Sequence, residues 1–240
     1  MAEGQQKPEF QLNWYILPVF NPDGYVWTWS GLKQRFWRKN RSKAALEARM
    51  PRANPDCVGV DLNRNFDWAW GQTPGCSHDP CEPVYCGPSP FSEPEAVAVR
   101  DFLADREREI HGYLSLHSYS QMWFIPYGHQ LNNLTEDHDE LMAVSRAAVA
   151  ALEAVHGTNF LVGTAPQLMY VTSGDSSDWA KGSAGIKYAF GVELRPGQCY
   201  IKHQFLLPAA EAQSTGEESW AAFRVVAGAV LAYAHNLTLV

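Results

Sequence analysis

Long apolar runs are missing from this sequence. Crossing a bilayer takes about 20 consecutive apolar residues, and every candidate stretch is broken earlier by a charge or a glycine. Positive charge is also short, with 19 Lys and Arg against 26 Asp and Glu over 240 residues, a net charge of −7. That balance opposes general affinity for nucleic acid or for an anionic membrane, and neither is expected as a partner. One stretch runs the other way: Lys33, Arg35, Arg38, Lys39, Arg41 and Lys43, interleaved with Phe36 and Trp37. In so acidic a chain it reads as a solvated basic loop with one functional arginine. The opening residues, Met1 to Pro8, lack the apolar centre of a signal peptide. Cysteine is sparse, five in all, yet four fall at Cys57, Cys76, Cys81 and Cys86 in a Gly/Pro/Asp-rich loop. Their spacings do not give the Cys-x2-Cys pairs of a zinc knuckle, so disulfides and an oxidising, extracellular setting are the better reading. Cys199 is left over.

What is present fits one sizeable globular domain, with 46% hydrophobic residues and no visible boundary or repeat. Trp14 to Phe20 is an apolar, aromatic and β-branched run closed by Asn21-Pro22-Asp23-Gly24, which predicts a buried strand entering a turn. From about residue 28 to 93 the chain is aperiodic and rich in Pro, Gly, Asn and Cys, and reads as a long functional loop. Ser92 is expected to cap a helix with Pro94 in its first turn, running to Glu109. Tyr113 to His117 predicts a strand ending at a polar site. A helix is expected from Asp137 to His156, stopped by Gly157. Lys187 to Leu194 predicts a second strand, and Glu217 to Asn236 a terminal amphipathic helix. Strands alternating with helices indicate an α/β chain with a parallel or mixed sheet.

Three polar features interrupt these patterns. His117 closes a strand, where α/β proteins place ligands, although a strand-end histidine is also commonly structural. Glu193 lies inside the apolar strand Tyr188-Ala189-Phe190-Gly191-Val192, where a carboxylate is costly unless it is functional or paired; Arg195 on the same face is one possible partner. Asn63-Arg64 sits in an irregular stretch, and an arginine beside an asparagine suits recognition of a carboxylate.

In order along the chain stand Asn21-Pro22-Asp23-Gly24-Tyr25, Trp37-Arg38-Lys39, Asp61-Leu62-Asn63-Arg64-Asn65-Phe66, Leu116-His117-Ser118-Tyr119, Tyr170, Asp178-Trp179 and Glu193-Leu194-Arg195. This series, from about residue 12 onward, resembles the A/B subfamily of zinc metallocarboxypeptidases. The resemblance implies a three-layer α/β/α fold with a mixed central sheet, and removal of single C-terminal amino acids from peptides and proteins by a monomer. It implies Zn2+ as cofactor with His117 as a ligand, Glu193 as general base, and Arg38 on the scissile carbonyl. Asn63 and Arg64 would hold the terminal carboxylate, Tyr170 would swing over the substrate, and Tyr119 would line the next subsite. Cys57 and Cys81 match a family disulfide, and Cys76 with Cys86 is the expected second bridge. The pocket for the terminal side chain is read at Ser177 and Asp175. Serine carries no charge at the deciding position, which favours neutral or apolar ends; Asp175, where glycine is usual, narrows the pocket or attracts a cation.

The family's other zinc ligands come as His-x-x-Glu, and none of the eight histidines is followed three residues later by glutamate. The expectation is therefore a partial catalytic domain, residues 1–240, lacking its first strands, prosegment and leader. A lone histidine holds zinc poorly. A module that binds peptide C-termini without hydrolysis, or a fragment without function, is the alternative.

Overall fold

The structure, a computed structural model, describes residues 11–43, 57–197 and 203–235. Its ordered elements are α1 (Pro22–Thr28), α2 (Pro94–Ala104), β1 (Gly112–Ser118), β2 (Met122–Phe124), α3 (His138–His156), β3 (Leu161–Gly163), α4 (Ala165–Leu168), α5 (Ser176–Gly182), β4 (Tyr188–Leu194) and α6 (Glu211–Ala234). The four strands form one sheet in the order β1-β4-β2-β3. β1 pairs with β4 in parallel, β2 with β4 antiparallel and β2 with β3 in parallel, so the sheet is mixed.

Strand alternation builds the layers. On β4, Tyr188, Phe190 and Val192 join Trp123 of β2 in a core with Leu141, Ala148 and Leu152 of α3 and Ala222, Val226 and Ala229 of α6. Ala189, from the opposite parity, packs with Ala96 and Leu103 of α2, Trp179 and Ala180 of α5, and Phe66. Successive side chains of a strand point to opposite faces, so helices cover both sides of β4. The expected α/β/α sandwich is therefore what forms. Gly191 and Glu193 share the parity of Ala189, and the site develops on that side.

Several boundaries differ from expectation. α3 begins one residue late and ends where Gly157 takes φ 74°, the left-handed position that stops a helix. α2 ends at Ala104, and its N-cap is Glu93, because the Ser92 hydroxyl bonds the Glu93 carboxylate instead of a backbone amide. α6 begins six residues before Glu217. Asn236, at the expected end of that helix, and Cys199 lie outside the described residues.

The strand expected over Trp14 to Phe20 does not form. Tyr15, Ile16 and Leu17 are exposed, and the segment lies on helices: Trp14 packs against Trp220 at 5.2 Å and Tyr15 edge-on against Phe102 at 5.2 Å. A strand needs a ladder partner to satisfy its backbone, and no described strand pairs with this run. The long stretch before Pro94 is irregular as expected, apart from a 3₁₀ turn at Leu62–Arg64.

Candidate active site

The turn at Leu62–Arg64 begins the site. Asp61 caps it, its Oδ1 accepting from the Asn63 amide at 3.1 Å, while its Oδ2 accepts from Arg38 Nε at 2.8 Å. One buried carboxylate thus orders two site residues, and its charge keeps the Arg38 guanidinium firmly protonated. Arg64 is buried rather than a loose polar loop residue. Its Nε donates to the Gly75 carbonyl at 2.9 Å and its Nη1 to the Asn63 carbonyl at 2.7 Å, leaving Nη2 for a ligand. The Asn63 Oδ1 accepts from the Ser176 amide at 2.9 Å, so its side-chain NH2 remains to donate. An amide NH2 and a guanidinium NH2 side by side are matched to the two oxygens of a carboxylate.

The sheet supplies the next pair. His117 and Glu193 are direct register partners across β1 and β4. The Ser115 hydroxyl meets His117 Nε2 at 2.7 Å, and Ser176 in turn donates to Ser115 at 3.2 Å. Burial, then the charge of Arg38, pushes the imidazole down to about 4, so it is neutral at ordinary pH with Nδ1 uncommitted. Glu193 Oε2 is buried with no hydrogen-bond partner. Burial raises this carboxyl to about 7, against the pull of Arg38 and Arg64. Arg195 is not its partner. The strand ends at Leu194, alternation lapses there, and Arg195 instead binds Glu218 at 2.7 and 2.5 Å and Glu211 at 2.7 Å.

One cavity brings together Arg38, Asn63, Arg64, His117, Tyr170 and Glu193. The same cavity is also lined by Phe124, Ile125, Met169, Asp175, Ser177 and Asp178. Asp175 is the N-cap of α5: Oδ1 accepts from the Ser177 amide (2.9 Å), the Ser177 hydroxyl (2.7 Å) and the Asp178 amide (3.0 Å). Its Oδ2 accepts from Thr172 Oγ1 at 2.8 Å. The Asp178 carboxylate accepts from the Gly128 amide at 2.9 and 2.7 Å and lies 3.5 Å from His129 Nδ1. Burial, then the neighbouring charge of Asp175, raises Asp178 to about 7. Tyr170 is half exposed, while Tyr119 packs edge-on against Phe205 at 4.9 Å and is not part of the cavity wall.

Cys57 and Cys81 form a disulfide, as the resemblance implied. Cys76 and Cys86, the expected second bridge, are free thiols with sulfurs 2.7 Å apart. The backbone bonds Cys76 N to Gln72 O and Cys86 N to Ser77 O bring them together. This close contact lowers the Cys76 thiol to about 6 and raises that of Cys86.

A profile described as zinc carboxypeptidase matches residues 10–222. The chain belongs to the zinc carboxypeptidase family. It is 41% identical over 219 residues to carboxypeptidase B of Astacus astacus, covering 91% of this chain and 68% of the relative. It is also 41% identical over 221 residues to human carboxypeptidase B, covering 92% of this chain and 49% of the relative. Against most such curated relatives the chain spans about half their length. Bovine thrombin-activatable fibrinolysis inhibitor, solved in complex with tick carboxypeptidase inhibitor, superposes with a TM-score of 0.80 at 40% identity, covering 90% of this chain and 68% of that one. Carboxypeptidase A from Helicoverpa armigera gives 0.79 at 32% identity, covering 91% and 51%.

Zinc is the metal of this carboxypeptidase family, but the residues present do not fit it. Among the described residues no group of three His, Cys, Asp or Glu could hold a metal ion, and His117 is the one imidazole in the cavity. Catalytic zinc takes three protein ligands. Ser115, Gly128 and Thr172 were not foreseen as parts of the site, and Asp61 and Asp178 stood in the motif series without a role of their own. Asp61 left a local trace, since an aspartate can accept from the backbone amide two residues on in an Asx turn.

Proposed function

We propose that this chain is built to grip the free C-terminus of a peptide and, as a zinc-dependent metallocarboxypeptidase, to release the terminal amino acid. The observation that carries this reading is the single cavity in which the Asn63/Arg64 pair, Arg38 and the unpartnered Glu193 converge. Arg64 Nη2 and the Asn63 NH2 hold the terminal carboxylate and set the register of the substrate. The Arg38 guanidinium, braced by Asp61, offers donors to the scissile carbonyl oxygen as it gains negative charge. Glu193, with a carboxyl near pH 7, takes a proton from the attacking water and passes it to the departing amine as the C–N bond breaks. Tyr170 at the rim closes over the bound end, and Tyr119 with Phe205 borders the preceding residue of the peptide. Zinc binding would need donors other than His117, so no step is assigned to it here.

The test is release of C-terminal amino acids from a peptide panel with added zinc, comparing the chain with Glu193→Gln. Loss of a general base costs about 10²–10⁴ in rate, so the substitution is expected to reduce release by that factor. Equal release from both proteins would overturn the assignment. The incomplete ligand set favours a second reading, a module that binds C-termini without cleaving them. It predicts no release from either protein, with binding that is lost when the peptide is amidated.

A further inference from the structure

We infer that Asn133 is a site of N-linked glycosylation, with a lipid pyrophosphate-linked oligosaccharide as donor. The chain carries three Asn-x-Ser/Thr triplets, at Asn40, Asn133 and Asn236. Such triplets occur by chance, so the surroundings of each asparagine decide what it can carry. Asn236 lies outside the described residues.

The triplet Asn40-Arg41-Ser42 is closed to a glycan. Asn40 is only 1% exposed. Its Nδ2 donates to Glu93 Oε2 at 2.7 Å and to both oxygens of Glu95 at 3.3 Å, while its Oδ1 accepts from the Val60 amide at 2.8 Å. A sugar on that nitrogen would separate the buried Glu93 carboxylate from its partner.

The triplet Asn133-Leu134-Thr135 differs in each respect. It lies in the connection between β2 and α3, on a turn where the Asn133 amide donates to the Gln130 carbonyl at 3.3 Å and Asn132 takes φ 63°. Leu131 and Leu134 beside it are exposed. The Asn133 side-chain amide meets His129 Nε2 at 2.9 Å. On the other side of that ring, the Trp68 indole N–H donates to His129 Nδ1 at 3.3 Å. An indole nitrogen only donates, so Nδ1 presents its lone pair and the ring proton sits on Nε2. Asn133 then accepts through its carbonyl oxygen, which turns its NH2 away from the ring.

That NH2 is the group glycosyl transfer uses. A bond forms from Nδ2 to the anomeric carbon of the sugar, and the bond from that carbon to the lipid pyrophosphate breaks. The amide gives one proton to the transferase, and the pyrophosphate leaves on the lipid. One N–H stays on the asparagine and its oxygen keeps the bond to His129, so the turn survives the reaction. A glycan linked there covers Leu131 and Leu134 and leaves the cavity open, since none of these three residues lines it. The Cys57–Cys81 disulfide fits the same setting, an oxidising compartment of the kind in which secreted chains receive glycans.

The experiment is expression of the full chain behind a cleavable secretion leader in animal cells. Peptide N-glycosidase followed by peptide mass analysis marks each occupied asparagine as aspartate. The expected result is that Asn133 is occupied and Asn40 is not. Asn133→Gln should lower the number of glycans by one and leave peptide binding unchanged, whereas Asn40→Gln should not alter the number. An unmodified Asn133 in the exported chain overturns the inference, and so does a folded chain with its glycan on Asn40. If the product is retained in the cell, the same number is read from the gel shift of chain translocated into microsomes. A shift there that Asn133→Gln does not reduce overturns the inference equally.

Discussion

Asp178 carries a consequence that a pH series can read. Its carboxyl is raised to about 7 in the folded chain, against about 3.9 when unfolded. Between those values the folded state holds a proton that the unfolded state has lost, so this residue's contribution to stability falls as pH rises from about 4 to 7 and is level above. His117 acts oppositely: lowered to about 4 from an unfolded 6.5, it contributes stability that is lost as pH falls through that window. Urea melts of the chain and of Asp178→Asn at pH 5, 6 and 8 separate the two. The difference between the proteins should shift against the parent as pH rises to 7; a constant difference would mean that Asp178 is ionised throughout. Residue-scale chemistry was partly legible. His117 and Glu193 stood out because a polar group breaks a strand's period. Asp61 and Ser176 did not, because Arg38–Asp61 and Asn63–Ser176 contacts close loops of 23 and 113 residues.

At the scale of elements, the turn carrying Asn63 and Arg64 is locked to the loop before α5. Phe66 donates to the Gly174 carbonyl at 3.0 Å and Gly174 donates to the Trp68 carbonyl at 2.9 Å. Gly174 has φ +66°, and a Cβ there would stand 2.4 Å from the Arg64 carbonyl oxygen. Gly157 has φ +74° with nothing within 4 Å. Gly157→Ala should therefore cost about 1 kcal/mol, the left-handed penalty alone. Gly174→Ala should cost about 2–4 kcal/mol, since the turn must also move, and peptide affinity should fall with it. Denaturant melts of both variants with a binding titration check this; equal costs would mean that the two segments slide freely. Helices α3 and α6 and strands β1 and β4 were legible from period and caps. The Trp14–Phe20 run was misread because β propensity reports a pleated, half-buried surface and says nothing about whether a ladder partner is at hand. Short β2, β3, α4 and α5 have too few residues to show a period.

On the scale of the whole molecule, the disulfide, the two-sided sheet and the ion pairs divide the chain by how its parts are held. The Cys57–Cys81 bridge closes a loop 24 residues apart in sequence, and Arg195 ties the end of β4 to Glu211 and Glu218 of α6. The overall sandwich was readable because apolar alternation along β4 specifies both layers at once. The cavity between the layers was not, because its walls come from six separated segments.

The register of β1 on β4 fixes more than distance. Glu193 and His117 cannot part unless the β1–β4 ladder opens, whereas Tyr170 sits half exposed on a connection outside the sheet, which opens at lower cost. Warming should thus free the Tyr170 connection before the Glu193–His117 register. Hydrogen exchange across a temperature ramp would show amides near Tyr170 released while those of Leu116 and Val192 stay protected. Short of its melting point, the molecule would loosen around Tyr170 while His117 and Glu193 stayed in register.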